Sequence, residues 1–237
     1  MTFDGTQKEI GKGAQAKVLS YQGFAYKVYD DSYPAEWIAF EKKQQQAVNK
    51  AGLSSVKYYD TDDSHIIKMD LVEGEQLEKS VPKNPGQGFA LLARAFRFVH
   101  QANAENTTIP PLAATAGLML SDEEKSQVLP VIERLSQKYK SCICHLDMHF
   151  LNIMIPPDAE LIADKTPYTI IDWMNARVAP PVFDYARTYV ILDEFAKMTL
   201  DYYKAAVWPD VLALGISEED FFEAVKVCTI LRQKEKS

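Results

Sequence analysis

The alternation of apolar and polar positions separates a strand-rich first third from a helical remainder. Residues 7–10, 17–21 and 24–29 carry short alternating runs, the last two joined by the turn Gln22-Gly23. Residues 36–51 show helical spacing and end at Gly52, a residue suited to closing a helix. Two further strands, 56–59 and 65–71, flank the polar turn DTDDS. The composition then changes: GEQLEKSVPKNPGQG is polar, holds two prolines and three glycines, and reads as a linker or crossover. Helical spacing governs 88–102, 121–139, 182–208 and 217–234, with a hairpin expected from 151–155 and 168–171. The pattern predicts an α+β fold with a β-rich N-terminal lobe over residues 1–72 and a helical C-terminal lobe over 73–237.

Chemistry concentrates in two places. The first is His145-Leu-Asp147-Met-His149-Phe-Leu-Asn152, followed after an apolar strand by Ile170-Ile171-Asp172-Trp173. Phosphoryl transfer from a nucleotide needs a carboxylate that orients the acceptor hydroxyl and takes its proton, and an amide oxygen and a second carboxylate that hold Mg²⁺ against the phosphates. Asp147 fits the base, and Asn152 and Asp172 the metal ligands. A polar loop with a chance Asp and Asn is the plainer explanation, and the order of the two elements between apolar strands argues against it.

The second is the glycine turn from Gly11 through Gly13 to Val18, followed by Lys27 on the next strand. Glycines let backbone N–H groups approach phosphate oxygens, and the lysine can then reach the α- and β-phosphates. Such a turn alone is an ordinary surface hairpin; together with Lys27 and the downstream loop it reads as a nucleotide cradle. Glu41, on the following helix, is the carboxylate expected to hold Lys27, with Glu36 the competitor.

HLDMHFLN and IIDW resemble the catalytic loop H-G-D-L-H-x-x-N and the metal motif I-D-W of the aminoglycoside phosphotransferase and choline kinase family, matching at His145, Asp147, His149, Asn152, Ile171, Asp172 and Trp173. PPVFDYAR resembles the family's D-P-x-x-D-L-A, which makes Asp184 the buried anchor of the catalytic loop. The resemblance runs from about Ile10 to about Arg187. It implies a two-lobed, protein-kinase-like fold, transfer of the ATP γ-phosphoryl group to a small-molecule hydroxyl, and Mg²⁺. IKMDLVEG resembles the family's hinge, which implies adenine contacts from the Asp70 carbonyl and the Val72 N–H, with Met69 at the back of the pocket. Leu146, where the family has glycine, Phe150-Leu151, and Ala179-Pro180-Pro181 depart from the pattern.

The formal charge of −7 leaves no basic surplus for nucleic-acid binding. The N-terminus lacks the features of a signal peptide and no run is long enough for a membrane span, so a cytoplasmic protein is expected. Cys142 and Cys144, two apart on a predicted strand, are expected to point apart and to suit neither a disulfide nor a shared metal. Carboxylates beside aromatics in DYYKAAVWPD and SEEDFFEAV favour an amine-bearing acceptor, with Asp201, Glu218 and Glu219 on the cleft side. Packing in a core is the plainer reading of Tyr202, Tyr203, Trp208, Phe221 and Phe222. Two rival functions are a compact protein Ser/Thr kinase, opposed by the short stretch between Asp172 and Asp184, and a pseudokinase interaction module, opposed by the presence of Lys27, Asp147, Asn152 and Asp172.

Overall fold

The computed structural model describes residues 1–13 and 15–235; Ala14 of the glycine turn and the last two residues of the expected C-terminal lobe lie outside the described residues. The chain opens with β1 (Lys8–Lys12), β2 (Ala16–Tyr21), β3 (Phe24–Tyr29), α1 (Ala35–Lys50), β4 (Tyr58–Tyr59) and β5 (Ile66–Asp70). The strands form an antiparallel sheet in the order β1-β2-β3-β5-β4. Tyr21 pairs with Phe24, and the two residues between them, Gln22 and Gly23, both take positive φ (48° and 80°). That is the two-residue turn whose twist matches a β-hairpin. Helix α1 stops at Gly52, φ 75°, where the Leu53 N–H reaches back to the Val48 carbonyl at 3.0 Å. Only a residue at ease in the left-handed region closes a helix this way.

The sheet is apolar on both faces. Leu19, Tyr26 and Ile66 pack on one side under Phe3, and Tyr29, Ile67 and Ile38 of α1 on the other.

The remainder is β6 (Glu75–Gln76), α2 (Pro85–His100), α3 (Leu112–Thr115), α4 (Asp122–Lys138), β7 (Cys142–Cys144), β8 (Ile153–Ile155), β9 (Thr169–Ile170), β10 (Arg177–Ala179), α5 (Pro181–Phe195), α6 (Leu200–Ala213) and α7 (Glu218–Glu235). Helices α2, α5, α6 and α7 enclose one core, in which Phe89, Phe96, Phe183, Tyr185, Tyr203 and Phe221 are fully buried. Asn84 caps α2 ahead of Pro85, and Ser121 and Glu124 form a reciprocal cap on α4. Among the described residues no helix is long and apolar enough to cross a membrane.

Three sequence expectations change. The polar stretch read as a linker is structured: β6 pairs with β8, and Leu77 is fully buried. Residues 182–208 are two helices, because Ala196 (φ −149°, ψ 42°) breaks the run without any glycine or proline to announce it. Cys142 and Cys144 share a face, with Sγ atoms 3.8 Å apart. Alternate residues of a strand point the same way, so the expected divergence was a misreading of strand period.

Gly74 joins the sheet to β6 at φ 143°, and a Cβ there would lie 2.2 Å from the Ile155 carbonyl oxygen. Gly74→Ala is therefore expected to destabilise the protein by about 2–4 kcal/mol, read by urea unfolding. A midpoint equal to wild type would contradict this close approach.

Candidate active site

Lys27 lies in the middle of β3, flanked by β2 and β5, and its side chain runs into a cleft of about 240 Å³. Ile10, Gly11, Val18 and Ala25 line the cleft from the sheet; Met69, Asp70, Leu71 and Val72 line it from the segment that leaves β5. Met154 of β8, Ile170 of β9 and the Ile171 and Asp172 that follow it close the cleft. Gly13 stands at the turn, with its N–H on the Ala16 carbonyl at 2.8 Å. The Asp70 carboxylate is spent on the fold, accepting from the Lys57 N–H (2.9 Å) and the Tyr59 hydroxyl (2.8 Å).

The Lys27 ammonium donates to both oxygens of Glu41, at 2.9 and 3.1 Å, and lies 3.5 Å from Asp172. Burial pulls this ammonium down, but Asp172 and Glu41 outweigh it and hold the group well above the usual lysine value. Lys27 stays charged. Glu41 is only 2% exposed and also accepts the hydroxyls of Tyr29 and Tyr58. Glu36 is exposed on the first turn of α1 and takes no part.

One helical turn beyond Glu41, the buried Gln44 side chain donates to the Ala176 carbonyl at 2.7 Å. This bond fastens α1 to the segment that follows Asp172. Spacing alone gives no reason to select Gln44: a glutamine on a charged helix is usually solvated.

The second half of the site is the loop between β7 and β8. Asp184, fully buried at the start of α5, accepts the His145 N–H (3.0 Å), the Leu146 N–H (2.8 Å) and a hydrogen bond shared with His100 Nε2 (2.9 Å). Thr188, one turn later, donates to the Met148 carbonyl at 2.6 Å. His145 accepts the Asp147 N–H at Nδ1 (3.2 Å), so its Nε2 carries the proton directed at the Ile171 carbonyl (3.1 Å). Burial pushes His145 down, which keeps it neutral and suits it to support rather than proton transfer.

Asn152 donates from its amide to the Asp147 carbonyl (2.8 Å) and carboxylate (3.1 Å). The Ile171 N–H meets the Asn152 carbonyl at 3.0 Å, next to the Ile153–Ile170 pair of the β8–β9 ladder. Asn152 and Asp172 thus stand at the same end of that ladder. Asp172 has φ 62°, a left-handed backbone, and a carboxylate that is 42% exposed in the cleft. Burial pushes Asp147 up, but the nearby His149 imidazole, His145 and Arg187 carry it down to about 2. It is a carboxylate at neutral pH.

The model of the family described as "phosphotransferase enzyme family" matches residues 6–214. The chain belongs to that family. No curated protein sequence matches the chain significantly, but solved phosphotransferase structures share its fold. A thermostable mutant of aminoglycoside phosphotransferase (4)-Ia superposes with a TM-score of 0.64 at 10% identity, over 97% of this chain and 87% of the other. Aminoglycoside phosphotransferase (3'')-Id from Streptomyces rimosus, in complex with ADP and streptomycin, gives 0.62 at 17% identity, over 96% and 94%. Choline kinase LicA from Streptococcus pneumoniae gives 0.61 at 15% identity, over 98% and 86%.

Two departures from the phosphotransferase pattern have physical explanations. Leu146 takes φ 56°, the conformation glycine reaches without strain. That costs about 1–2 kcal/mol, offset by burying the side chain, which is 8% exposed. Phe150 is buried against Phe89, with ring centroids 4.8 Å apart.

The residues expected to give this phosphotransferase an acidic, aromatic acceptor site are scattered. Tyr203 and Phe221 are core, with the Tyr203 hydroxyl on the Tyr185 carbonyl at 2.7 Å. Trp208 packs on Phe221, and Phe222 on Tyr189. Tyr202 and Tyr203 both meet Phe89, Tyr202 stacked over it and Tyr203 edge-on. Glu218 and Glu219 are exposed at the first turn of α7. The other end of α7, about 25 Å away at 1.5 Å per residue, carries Glu235, which pairs with Arg187 between Asp184 and Thr188. Glu218 and Glu219 therefore stand far from the helix face that grips the loop between β7 and β8. Asp201 is exposed on the first turn of α6.

Proposed function

We propose that this phosphotransferase moves the γ-phosphoryl group of ATP to the hydroxyl of a small molecule, with residues 1–72 as the nucleotide lobe and 73–237 as the catalytic and acceptor lobe. The observation that carries this reading is Lys27, held by Glu41 and 3.5 Å from Asp172, at the floor of an apolar cleft. An apolar slot leading to a fixed cation suits a flat base joined to phosphates. The Streptomyces rimosus relative bound to ADP supports an adenine nucleotide.

In this reading the Asp70 carbonyl and the Val72 N–H meet the adenine edge, with Met69 behind it. Gly11, Gly13 and the Lys27 ammonium meet the phosphates, and Glu41 positions Lys27. Asn152 and Asp172 offer oxygen ligands, hard donors that fit Mg²⁺. With the Asn152 amide nitrogen bonded to Asp147, its oxygen is the atom left for a cation. When bound, Mg²⁺ supplies charge neutralisation between the phosphates. Asp147 accepts the acceptor's O–H as a hydrogen bond and so aims the oxygen at phosphorus. The new O–P bond forms as the bond to the β–γ bridging oxygen breaks, and the proton passes to an Asp147 carboxylate oxygen. A carboxylate with a pKa of about 2 is a weak base, so orientation dominates its role and the proton arrives late.

The test is ATP consumption, with and without Mg²⁺, against a panel of aminoglycosides, amino alcohols and sugars. Acceptor-dependent ADP release with at least one compound is the expected result; none across the panel, with ATP bound, argues against a small-molecule kinase.

The glycine turn can be tested apart from the fold. Among the described residues, a Cβ at Gly13 would meet the Ala16 carbonyl oxygen at an ordinary 3.5 Å. Gly13→Ala is expected to leave the melting temperature unchanged while nucleotide affinity falls roughly tenfold, because the added Cβ keeps phosphate oxygens from approaching the turn backbone. Unchanged affinity removes Gly13 from the cradle.

A further inference from the structure

His100, Cys142 and Cys144 form a cluster that phosphoryl transfer does not use. The strand period puts both thiols on one face of β7, with Sγ atoms 3.8 Å apart. His100, the last residue of α2, meets them there, and one ligand atom from each of the three lies within 4.8 Å of the others. His100 Nε2 is bonded to Asp184 at 2.9 Å. His100 Nδ1 is buried without any hydrogen-bond partner, on a side chain only 8% exposed. Buried polar atoms left this way are rare and destabilising unless something absent from the protein chain satisfies them.

The donor set says what that is. Two thiols and an imidazole select a thiophilic cation and disfavour Mg²⁺ or Ca²⁺, which take oxygen. An imidazole held by a carboxylate at one nitrogen and free at the other is the usual arrangement of a histidine that ligates metal. The observed sulfur separation equals the edge of a tetrahedron whose metal–sulfur distance is about 2.3 Å. We propose that His100 Nδ1 and the Cys142 and Cys144 thiolates bind one Zn²⁺ ion. Binding displaces both thiol protons, so affinity rises with pH. Among the described residues the cluster offers three side-chain ligands, which leaves a fourth position for water. The ion would sit one residue removed from the catalytic loop, because Asp184 holds His100 and also the backbone of His145 and Leu146.

The test is anaerobic titration of the reduced full chain with Co²⁺, followed by displacement with Zn²⁺. Thiolate-to-cobalt charge-transfer absorption saturating at one equivalent, and lost on adding Zn²⁺, is the expected result. Cys142→Ser and His100→Gln should each weaken Zn²⁺ by about a hundredfold or more, while Cys228→Ser leaves it unchanged. Absence of the charge-transfer band in the wild-type chain overturns the proposal, whether or not the variants fold. A band undiminished in Cys142→Ser, or tight binding of Cu⁺ with none of Zn²⁺, overturns it as well.

Discussion

Asp147→Asn is expected to lower kcat by roughly 10²–10⁴-fold while ATP affinity stays within a few-fold of wild type. Asparagine keeps the size of the side chain and an oxygen for the Asn152 amide, which now reaches the carboxylate at 3.1 Å. In the proposed reaction it would lack the charge that fixes the acceptor hydroxyl and the site that takes the proton. The pH dependence follows from the same group. Its folded pKa, about 2, lies below the ordinary aspartate value, because the nearby histidines and Arg187 outweigh burial. Activity that needs the carboxylate, and the stability it contributes, are full above about pH 4 and lost only as pH falls through about 2. Steady-state rates from pH 5 to 8 should therefore show no acid limb from Asp147. Wild-type turnover in Asp147→Asn would remove Asp147 from the reaction.

Asp172→Asn should abolish most of the Mg²⁺-dependent increment in nucleotide affinity, roughly a hundredfold or more, and Asn152→Ala should reduce it less. A carboxylate is the stronger ligand for a hard cation. Asparagine is preferred to alanine at this position because φ 62° is a conformation that Asn tolerates. The comparison isolates metal binding, since Glu41 continues to hold Lys27. Calorimetric titration of nucleotide with and without Mg²⁺ reads the effect. The same Mg²⁺ increment in both variants would rule out the metal pair.

The parts of this architecture that sequence revealed are those governed by local rules. The Gln22-Gly23 hairpin and the Gly52 helix end are set by backbone conformations few residues adopt. The convergence of Lys27, Glu41 and Asp172 follows from a strand, the next helix and a motif after a hairpin, each legible separately. What stayed hidden depends on tertiary partners. Gln44 has no distinguishing neighbour in the chain, and its meaning appears only at the Ala176 carbonyl. Nothing in the polar stretch around Gly74 distinguishes it from any loop glycine; the Ile155 carbonyl beside it does. The break at Ala196 has no punctuation, and β6 is two residues that are a strand only because β8 lies beside them. Glu218 and Glu219 were placed by composition, which carries no information about which end of α7 faces the loop.

The bond from Gln44 to the Ala176 carbonyl has a kinetic consequence. In a site where the glutamate-bearing helix must first swing inward, nucleotide association shows a slow conformational phase whose rate levels off at high concentration. Here α1 is already fastened and Glu41 already holds the lysine. Association should proceed in one phase, with an observed rate that climbs in proportion to nucleotide concentration. Gln44→Ala, by untying the helix, should introduce the plateau.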